Sequence, residues 1–566
     1  MDYKWDILNK SRKSRTGRDD INWIVDTLLK NRGIKTKKQK DEFFKPTPPE
    51  KITVKSLGLS QGEINKAIQR LKDAKRKKEK VIIYGDYDAD GISATAILWE
   101  CLYALGLDVL PYIPERFSEG YGINVESVKK LKAESSELKV ILTVDNGIVA
   151  YEAIDTANEL GIDVIIVDHH QKSKKKLKAH SIIHTSEICG SGIAWKFARE
   201  IAKELKELRT QEIKSSLDLV AIGTISDQIP LIGPNRSFVK YGLEVLNTSI
   251  RPGLAELYKE AGLEKGSIGV YEVGFIIAPR INAMGRLEHA LESLRLLCTR
   301  SRPRAKELAL KLGKTNKKRQ KIVDEVLLHS KALIEKSELK SLIIVAHESY
   351  HEGVIGLAAS KLVEVFYRPV IVISKGEKIS KASARSISGF NIIEAIQQVD
   401  DLLLEGGGHP MAAGFSIESE KIEEFRQRLE EISQQLLNDK ILSKKLKIDL
   451  EVNFDQLSPP NSNAGWEIIE ILKKFEPTGV GNPTPTFATK KVNILDLRTV
   501  GYESQHLKLK VEKDNQVFDA IAFGFSHLYQ NLLQNHKIDI VYHFEENIWN
   551  HEKSMQLKVK DIKLIK

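Results

Sequence analysis

Three carboxylates stand at alternate positions directly after an apolar run. Asp86, Asp88 and Asp90 follow residues 81–84, whose Val-Ile-Ile-Tyr sequence is typical of a buried strand, and Gly91 precedes a helix-like run. In a parallel α/β sheet, the carboxyl end of a strand opens into the ligand crevice. Carboxylates held together there repel one another unless a cation lies among them, and hard divalent ions such as Mg²⁺ or Mn²⁺ prefer oxygen ligands. The pattern therefore predicts a divalent-metal site.

Two other interpretations stay open for this stretch alone. One is a solvated acidic turn without a metal. The other is a calcium loop, because such loops share the D-x-D-x-D-G spacing. The glutamate that closes a calcium loop would fall at Ile97, however, which cannot bind the ion.

Further polar residues follow other predicted elements. Asp145 and the Asp-His-His triplet at 168–170 come directly after β-branched runs, and Asp227 follows a helix-like run at 217–222. Each signal is weak alone, since a strand-end aspartate often caps the next helix. Several strand ends of one parallel sheet nevertheless converge on one crevice. A mixed Asp/His set suits Mn²⁺ or a pair of divalent ions, which can promote in-line displacement at phosphorus. Together they predict a metal-dependent phosphoesterase.

The elements that must position these residues have an α/β pattern. Strand and helix patterns alternate over residues 80–300, which predicts a mostly parallel sheet with helices on both faces. A second α/β unit is predicted at 340–435. Residues 447–566 turn β-rich, and five strand patterns with one helix predict an OB-type barrel, a fold that binds single strands through basic grooves and aromatic stacking. Candidate barrel contacts are Phe487, Phe523, Phe525 and Lys508, although a core position is the favoured interpretation for any one of the aromatic rings.

A long helix is predicted between the two α/β units. Residues 304–337 contain no proline and one glycine, Gly313, and their apolar residues recur at helical spacing. About 35 residues would span roughly 50 Å, enough to join two domains across a cleft. Its middle, 314–321, is strongly basic, which indicates either a solvated face or a wall that contacts DNA.

The predicted domain organisation follows from these patterns. Its five parts are an N-terminal helical segment at 1–75, a catalytic α/β domain at 76–301, the connecting helix at 302–338, a second α/β domain at 339–440 and the barrel at 441–566.

Composition narrows the class of protein. A chain of 566 residues with a 42% hydrophobic share can form several packed domains, and no apolar run is long enough for a transmembrane helix. The net charge, 87 minus 77 or +10, weakly favours a polyanionic partner. Cys101, Cys189 and Cys298 are widely spaced, which fits a reducing compartment and no metal site. The first residues lack the apolar stretch of a secretory signal, so we expect a cytoplasmic location.

The polar motifs also resemble those of a known superfamily. They are DYDADG (86–91), VDNG (144–147), DHH (168–170) and GTISDQIPL (223–231), and their order resembles the four motifs of the DHH phosphoesterase superfamily. Residues 113–122, 278–286 and 406–415, with the β-rich C-terminal region, are similar within it to the RecJ family of single-strand-specific 5′→3′ exonucleases.

The resemblance implies roles for individual residues. The ligands of two divalent ions, Mn²⁺ or Mg²⁺, would be Asp88, Asp90, Asp145, His169 and Asp227, with Asp145 bridging the ions. The residues that would orient these ligands or face the substrate are Asp86, Asp168 and His170, with Asn146 as polar support.

A pocket for the 5′-terminal nucleotide is also implied by the resemblance. Its members in the second domain would be Ser383, Arg385, Gly407, Gly408 and His409, and those in the catalytic domain Arg116 and Arg280. Glycines let backbone N–H groups approach a phosphate, and arginine adds bidentate hydrogen bonds. A glycine run alone is equally typical of a plain turn.

The predicted function is hydrolysis of single-stranded DNA from its 5′ end, which releases nucleoside 5′-monophosphates during repair and recombination. A helicase and a single-strand-binding protein are expected partners. One alternative is a related phosphodiesterase for short oligonucleotides or cyclic dinucleotides. Another is a non-catalytic single-strand-binding scaffold, which should have lost motif aspartates; none is lost here.

Overall fold

The computed structural model describes residues 3–12, 17–205, 215–248, 251–336, 338–457, 463–534, 537–549 and 552–565. The chain divides into two compact units. The larger contains residues 52–227 and 241–444, and the smaller contains residues 1–51, 228–240 and 445–566. Within the described residues, no helix combines the length and apolar character that a membrane crossing needs.

The helices, numbered in chain order, are α1 (Gly17–Asn31), α2 (Lys37–Phe44), α3 (Gln61–Lys77), α4 (Ala89–Ala104), α5 (Val125–Glu134), α6 (Tyr151–Glu159), α7 (Gly190–Leu205), α8 (Leu217–Ser226), α9 (Gly233–Thr248), α10 (Pro252–Ala261), α11 (Ala278–Leu287), α12 (Leu291–Cys298), α13 (Arg302–Ile334), α14 (Ile355–Phe366), α15 (Ile392–Gln397), α16 (Ile422–Leu436), α17 (Asn463–Lys473) and α18 (Tyr529–Leu533). A π-helical turn, Val273–Ile277, runs directly into α11.

The strands are β1 (Lys4–Ile7), β2 (Lys80–Tyr84), β3 (Val109–Tyr112), β4 (Leu138–Val144), β5 (Asp163–Asp168), β6 (Ser181–His184), β7 (Ile343–His347), β8 (Val370–Ser374), β9 (Ile379–Arg385), β10 (Leu403–His409), β11 (Ala412–Glu418), β12 (Lys445–Ile448), β13 (Leu450–Glu451), β14 (Phe487–Val500), β15 (His506–Lys513), β16 (Gln516–Ala522), β17 (Lys537–Trp549) and β18 (Glu552–Leu564).

The catalytic part of the larger unit is built on a parallel five-stranded sheet, as the alternating pattern predicts. Its order is β3-β2-β4-β5-β6. The central strands β2, β4 and β5 are almost wholly buried, as apolar strands covered on both faces are. The chain passes from β2 to β3 on one side and returns to β4 on the other, so the strand order reverses at β2. Ligands bind in the crevice at such a switch point.

The second α/β part carries a mixed sheet in the order β10-β11-β9-β8-β7. The connecting helix α13 is confirmed, and its 33 residues span roughly 50 Å. Its C-terminal half packs Val323 and Val326 against the apolar face of β7 and β8. Near its middle, a Cβ on Gly313 would lie 2.0 Å from the Glu260 carboxylate, so a larger residue here would force the Glu260 side chain on α10 to move.

The glycine run at 406–408 is an edge strand and not a turn. It lies within β10, which pairs antiparallel with β11 from Leu403 to His409. The turn interpretation was wrong because pairing with β11 depends on residues that follow the run in the chain, and the run itself has no strand propensity.

The smaller unit contains the closed barrel that the β-rich pattern predicts. Strands β14, β15, β16, β18 and β17 pair in that order, and β17 pairs back with β14. Phe487 is fully buried in the barrel core, so it is unavailable to stack on a base. Phe523 is half-exposed, and Lys558 Nζ lies 5.5 Å from its ring centroid.

Residues 1–51 of the predicted N-terminal segment belong to the smaller unit and share the barrel's core, whereas α3 belongs to the larger unit. Strand β1, which the sequence did not predict, pairs in parallel with β12. The apolar faces of α1 and α2 bury Leu28 and Phe43 in one cluster with Phe475 of the C-terminal region. The guanidinium of buried Arg236 donates hydrogen bonds to five main-chain carbonyls, those of Phe43, Lys474, Phe475, Glu476 and Pro477.

This packing predicts how the chain responds to loss of the barrel. A protein ending at residue 444 leaves the apolar faces of α1 and α2 without their partners, whereas a protein of residues 52–444 lacks those faces. We expect the first to bind a hydrophobic dye and aggregate and the second to do so far less. Both should show a shallower salt dependence of strand binding than the full chain. Equal dye binding by the two shortened proteins would contradict the shared core.

Candidate metal centre

The first acidic motif is fixed by local geometry at the start of α4. Asp88 caps this helix, and its Oδ1 accepts hydrogen bonds from the main-chain N–H groups of Asp90 (2.9 Å) and Gly91 (3.0 Å). A Cβ on Gly91 would lie 2.5 Å from Asp86 Cβ, so the glycine lets the turn close on itself. The alternate spacing thus directs neighbouring carboxylates into the switch-point crevice.

The structure brings all five predicted ligands together. Three overlapping groups each have ligand atoms within 4.8 Å of one another: Asp86, Asp88 and Asp145; Asp90, His169 and Asp227; and Asp145, His169 and His170. His169 Nε2 lies 3.1 Å from Asp145 Oδ1 and 3.6 Å from Asp227 Oδ2. Asp86, expected to orient other ligands, has a carboxylate oxygen within 4.8 Å of ligand atoms of Asp88 and Asp145.

Asp145 occupies a strained position at the middle of the cluster. Its φ of 63° lies in the left-handed region, which aspartate enters more readily than most residues but still at a cost. A Cβ on Gly190 would lie 2.8 Å from Asp145 Oδ1, so glycine is needed beneath the carboxylate. The surrounding packing therefore holds Asp145 in one place.

The buried carboxylates are electrostatically unfavourable without a cation. Burial raises the pKa of Asp86, Asp88 and Asp145, and the charges of neighbouring aspartates raise it further. Burial and the charge of Asp90 raise the pKa of Asp227 to about 8. The buried Asp86 Oδ1 and Asp145 Oδ1 accept no hydrogen bond from any residue that the structure describes. Divalent ions would remove both penalties, so this donor set fits Mn²⁺ or Mg²⁺.

Neighbouring groups orient the cluster. Asp90 accepts hydrogen bonds from the main-chain N–H groups of Gly190 (2.7 Å) and Ser191 (3.0 Å) at the positive end of α7. Asp168 Oδ1 lies 2.7 Å from His170 Nδ1, and this pairing outweighs burial and raises the pKa of His170 to about 9. Burial lowers the pKa of His169, which favours the neutral imidazole that binds metals.

Asn146 supports the loop after β4. Its Nδ2 donates to the main-chain carbonyls of Tyr84 (3.2 Å) and Val144 (2.9 Å). Tyr121, which the sequence analysis did not select, donates its hydroxyl hydrogen to the Asp145 carbonyl at 3.1 Å.

A crevice between the catalytic and second α/β parts has a volume of about 590 Å³. Its lining includes Tyr87, Arg116, Phe117, Tyr121, Arg286, Lys381, Ser383, Arg385, Gly406 and Gly407. Four residues of the predicted phosphate pocket, Arg116, Ser383, Arg385 and Gly407, are thus brought together. Gly408 and His409 lie further along β10 and do not line it.

Arg280 lies outside the crevice, and Arg286 lines it instead. Arg280 Nε donates to Glu260 Oε2 at 2.7 Å, which commits this guanidinium to an ion pair. Arg286 ends the same sequence motif, so the motif was the available signal, but the sequence did not show which arginine faces the crevice. Gly353 admits Arg286 closely, since a Cβ there would lie 2.1 Å from the Arg286 carbonyl oxygen.

The arginine side chains give the crevice a positive charge that suits an anion. Burial, together with the positive charges of Arg116, Arg319 and Arg385, lowers the pKa of Arg286 to about 10. Arg385 Nη1 donates to Ser383 Oγ at 3.0 Å. In the described part of the chain, none of the guanidiniums of Arg116, Arg286 and Arg385 forms a salt bridge with a carboxylate. A phosphate would neutralise them through charge-assisted hydrogen bonds.

Comparison with known proteins identifies the family. The models described as "DHH family, N-terminal domain", "DHHA1 domain" and "RecJ OB domain" match residues 80–224, 339–435 and 448–561. A relative from Bacillus subtilis, named single-stranded-DNA-specific exonuclease RecJ, is 34% identical over 581 residues, covering 99% of this chain and 70% of the relative. The chain belongs to the RecJ family. The RecJ relative of Escherichia coli is 30% identical, over 88% of this chain and 90% of its own.

A solved structure of the RecJ family agrees with the whole fold. RecJ of Thermus thermophilus in complex with Mn²⁺ has a TM-score of 0.82 and 27% identity, over 100% of this chain and 80% of its own. A structure of RecJ from the same organism in complex with Mg²⁺ has a TM-score of 0.76. The family resemblance and the fold class predicted from the motifs are therefore confirmed.

Proposed function

We propose that this chain is a metal-dependent exonuclease specific for single-stranded DNA. The observation that carries the proposal is a cluster of buried, mutually repelling carboxylates beside a crevice lined by guanidiniums that form no salt bridge within the described residues. Its relatives are named single-stranded-DNA-specific exonucleases, and RecJ structures contain Mn²⁺ or Mg²⁺. Metal ions would neutralise the carboxylates, and the phosphates of a DNA strand would neutralise the guanidiniums.

The metal ligands would be Asp88, Asp90, Asp145, His169 and Asp227. Asp145 and His169 each belong to two of the three close groups, and of the two only the carboxylate has two oxygens with which to bridge two ions, which supports Asp145 as the bridging ligand. Asp86 lies close enough to add a ligand, and Asp168 would hold His170 toward the substrate. Two bound divalent ions would supply Lewis-acid stabilisation of the scissile phosphate and a water of lowered pKa.

The 5′ polarity would come from the arginine crevice. Arg116, Arg286 and Arg385, with Ser383, would bind the terminal phosphate and set the first phosphodiester over the metal centre. Hydrolysis there would release nucleoside 5′-monophosphates. The rings of Phe117 and His351, one from each α/β part, lie 5.7 Å apart at the crevice, which would favour a single strand over a duplex.

The test is digestion of strands labelled at either end, single or double, in Mn²⁺, Mg²⁺ or EDTA. We expect mononucleotides from 5′ ends of single strands only, and none in EDTA. Cleavage restricted to dinucleotides or cyclic dinucleotides would favour a related phosphodiesterase that acts on short oligonucleotides. Binding of single strands without cleavage would favour a non-catalytic scaffold. The repair role, the helicase and single-strand-binding partners and the cytoplasmic location are further proposals, which co-purification and imaging would test.

A further inference from the structure

Two stacked aromatic side chains lie exposed on the helical segment that leads into the metal centre. Tyr271 and Phe275 are 63% and 71% exposed. Their ring centroids are 5.0 Å apart, and the ring planes are inclined by 26°. Neither side chain belongs to the proposed metal ligands or to the lining of the arginine crevice.

Local packing does not account for this exposure. Phe275 belongs to the π-helical turn Val273–Ile277, in which Val273 and Ile277 are fully buried and make the apolar contacts. Extra residues of this kind in a helix occur frequently at functional sites. An exposed pair of large rings on such a turn therefore indicates a surface that meets a ligand.

Contacts on both sides tie the turn to the metal centre. A Cβ on Gly274 would lie 3.6 Å from Ile225 Cγ2, two residues before Asp227. Toward the other end, Asn282 Oδ1 accepts a hydrogen bond of 2.7 Å from the main-chain N–H of Ala89, next to Asp88. Phe275 and Asn282 are seven residues apart, roughly 10 Å at the helical rise. The rings thus lie on a helical segment that contacts residues next to two of the proposed metal ligands.

A basic segment lies on the helix that packs along α11. Helix α11 continues directly from the π-helical turn and packs along α13, whose segment 314–321 contains four lysines and one arginine. The four lysine side chains of that segment are exposed. Exposed rings and exposed cations on neighbouring elements match a single strand, whose bases stack on aromatic side chains while its phosphates meet lysine and arginine.

We propose that Tyr271 and Phe275 form a stacking platform for bases of the single strand downstream of the scissile phosphate. The proposal rests on the proposed function and adds a binding site to it. The platform would hold the strand by stacking alone, so it would accept any base and reject abasic positions.

The test uses the full-length chain with Phe275→Ala and Phe275→Trp. For a 5′-phosphorylated oligo-dT of twenty nucleotides, we expect Phe275→Ala to raise KM by roughly 10-fold with little change in kcat, because base–aromatic stacking has about that effect on affinity. A dinucleotide is too short to reach the platform, so its KM should not change. Phe275→Trp should restore the wild-type KM.

A matched control exists on α4. Trp99 and Tyr103 form a second stacked pair with centroids 5.1 Å apart, and Tyr103 is 63% exposed. This pair lies roughly 20 Å from the start of the helix at the metal centre, by the helical rise. Tyr103→Ala should leave KM unchanged for both substrates.

Abasic strands and a fluorescent base separate the platform from the reaction. Consecutive abasic sites downstream should lower the affinity of the wild-type protein by about as much as Phe275→Ala lowers the affinity for the intact strand. Combining the variant with the abasic strand should lower the affinity no further than either change alone. Stacking of 2-aminopurine should quench its fluorescence in wild type and not in Phe275→Ala, even if no hydrolysis occurs. Unchanged KM and fluorescence in Phe275→Ala would overturn the platform and leave a protein-binding surface as the interpretation.

Discussion

Replacement of Asp145 by asparagine is expected to lower kcat/KM on single-stranded DNA by at least about 10³-fold, because the metals supply several kcal/mol to the transition state. Asparagine keeps the side-chain shape and tolerates the left-handed φ of 63°, so the change removes mainly the charge. Initial rates with a 5′-labelled strand in Mn²⁺ measure the effect.

The same variant should fold at least as well as wild type without metal, since it relieves repulsion among buried carboxylates. Its Tm without metal should equal or exceed the wild-type Tm, and Mn²⁺ should raise it less. Asp108→Asn is the matched control, because Asp108 is exposed just before β3, at the opposite end of the sheet. Near-normal hydrolysis by Asp145→Asn in Mn²⁺ would contradict the proposed set of metal ligands.

Replacement of Arg385 by alanine should weaken cleavage of 5′-phosphorylated strands far more than cleavage of 5′-hydroxyl strands. A hydrogen bond to a charged group contributes about 1.5–3 kcal/mol, equivalent to a selective loss of roughly 10- to 150-fold in kcat/KM. The readout is the ratio of kcat/KM for the two strands, which a general loss of stability does not move.

A pair of arginines on one helix provides the comparison. Arg286→Ala should shift this ratio in the same direction as Arg385→Ala, because both guanidiniums line the crevice. Arg280→Ala should leave the ratio near the wild-type value, because Arg280 is committed to Glu260. If Arg385→Ala reduces cleavage of both strands equally, Arg385 does not bind the terminal phosphate.

The candidate metal centre was predictable from the sequence because its donors follow the ends of neighbouring strands or of a helix. The first acidic motif comes after β2, and Asp145 and His169 directly follow β4 and β5; parallel strands that run side by side end at the same edge of a sheet. Local periodicity likewise determined the long helix and the closed barrel. The sequence signal for each single strand or helix comes from residues that are near neighbours in the chain.

Only the tertiary structure decided the partners that come from distant segments. Arg280 and Arg286 lie six residues apart on one helix, and the position of Glu260 on α10 determines which one is left for the crevice. The glycine run became a strand through pairing with β11. In the N-terminal segment, β1 forms by pairing with β12, and the apolar faces of α1 and α2 are buried against the barrel region, more than 400 residues away. Side-chain periodicity shows that a face is buried, but only the packed chain shows what covers it.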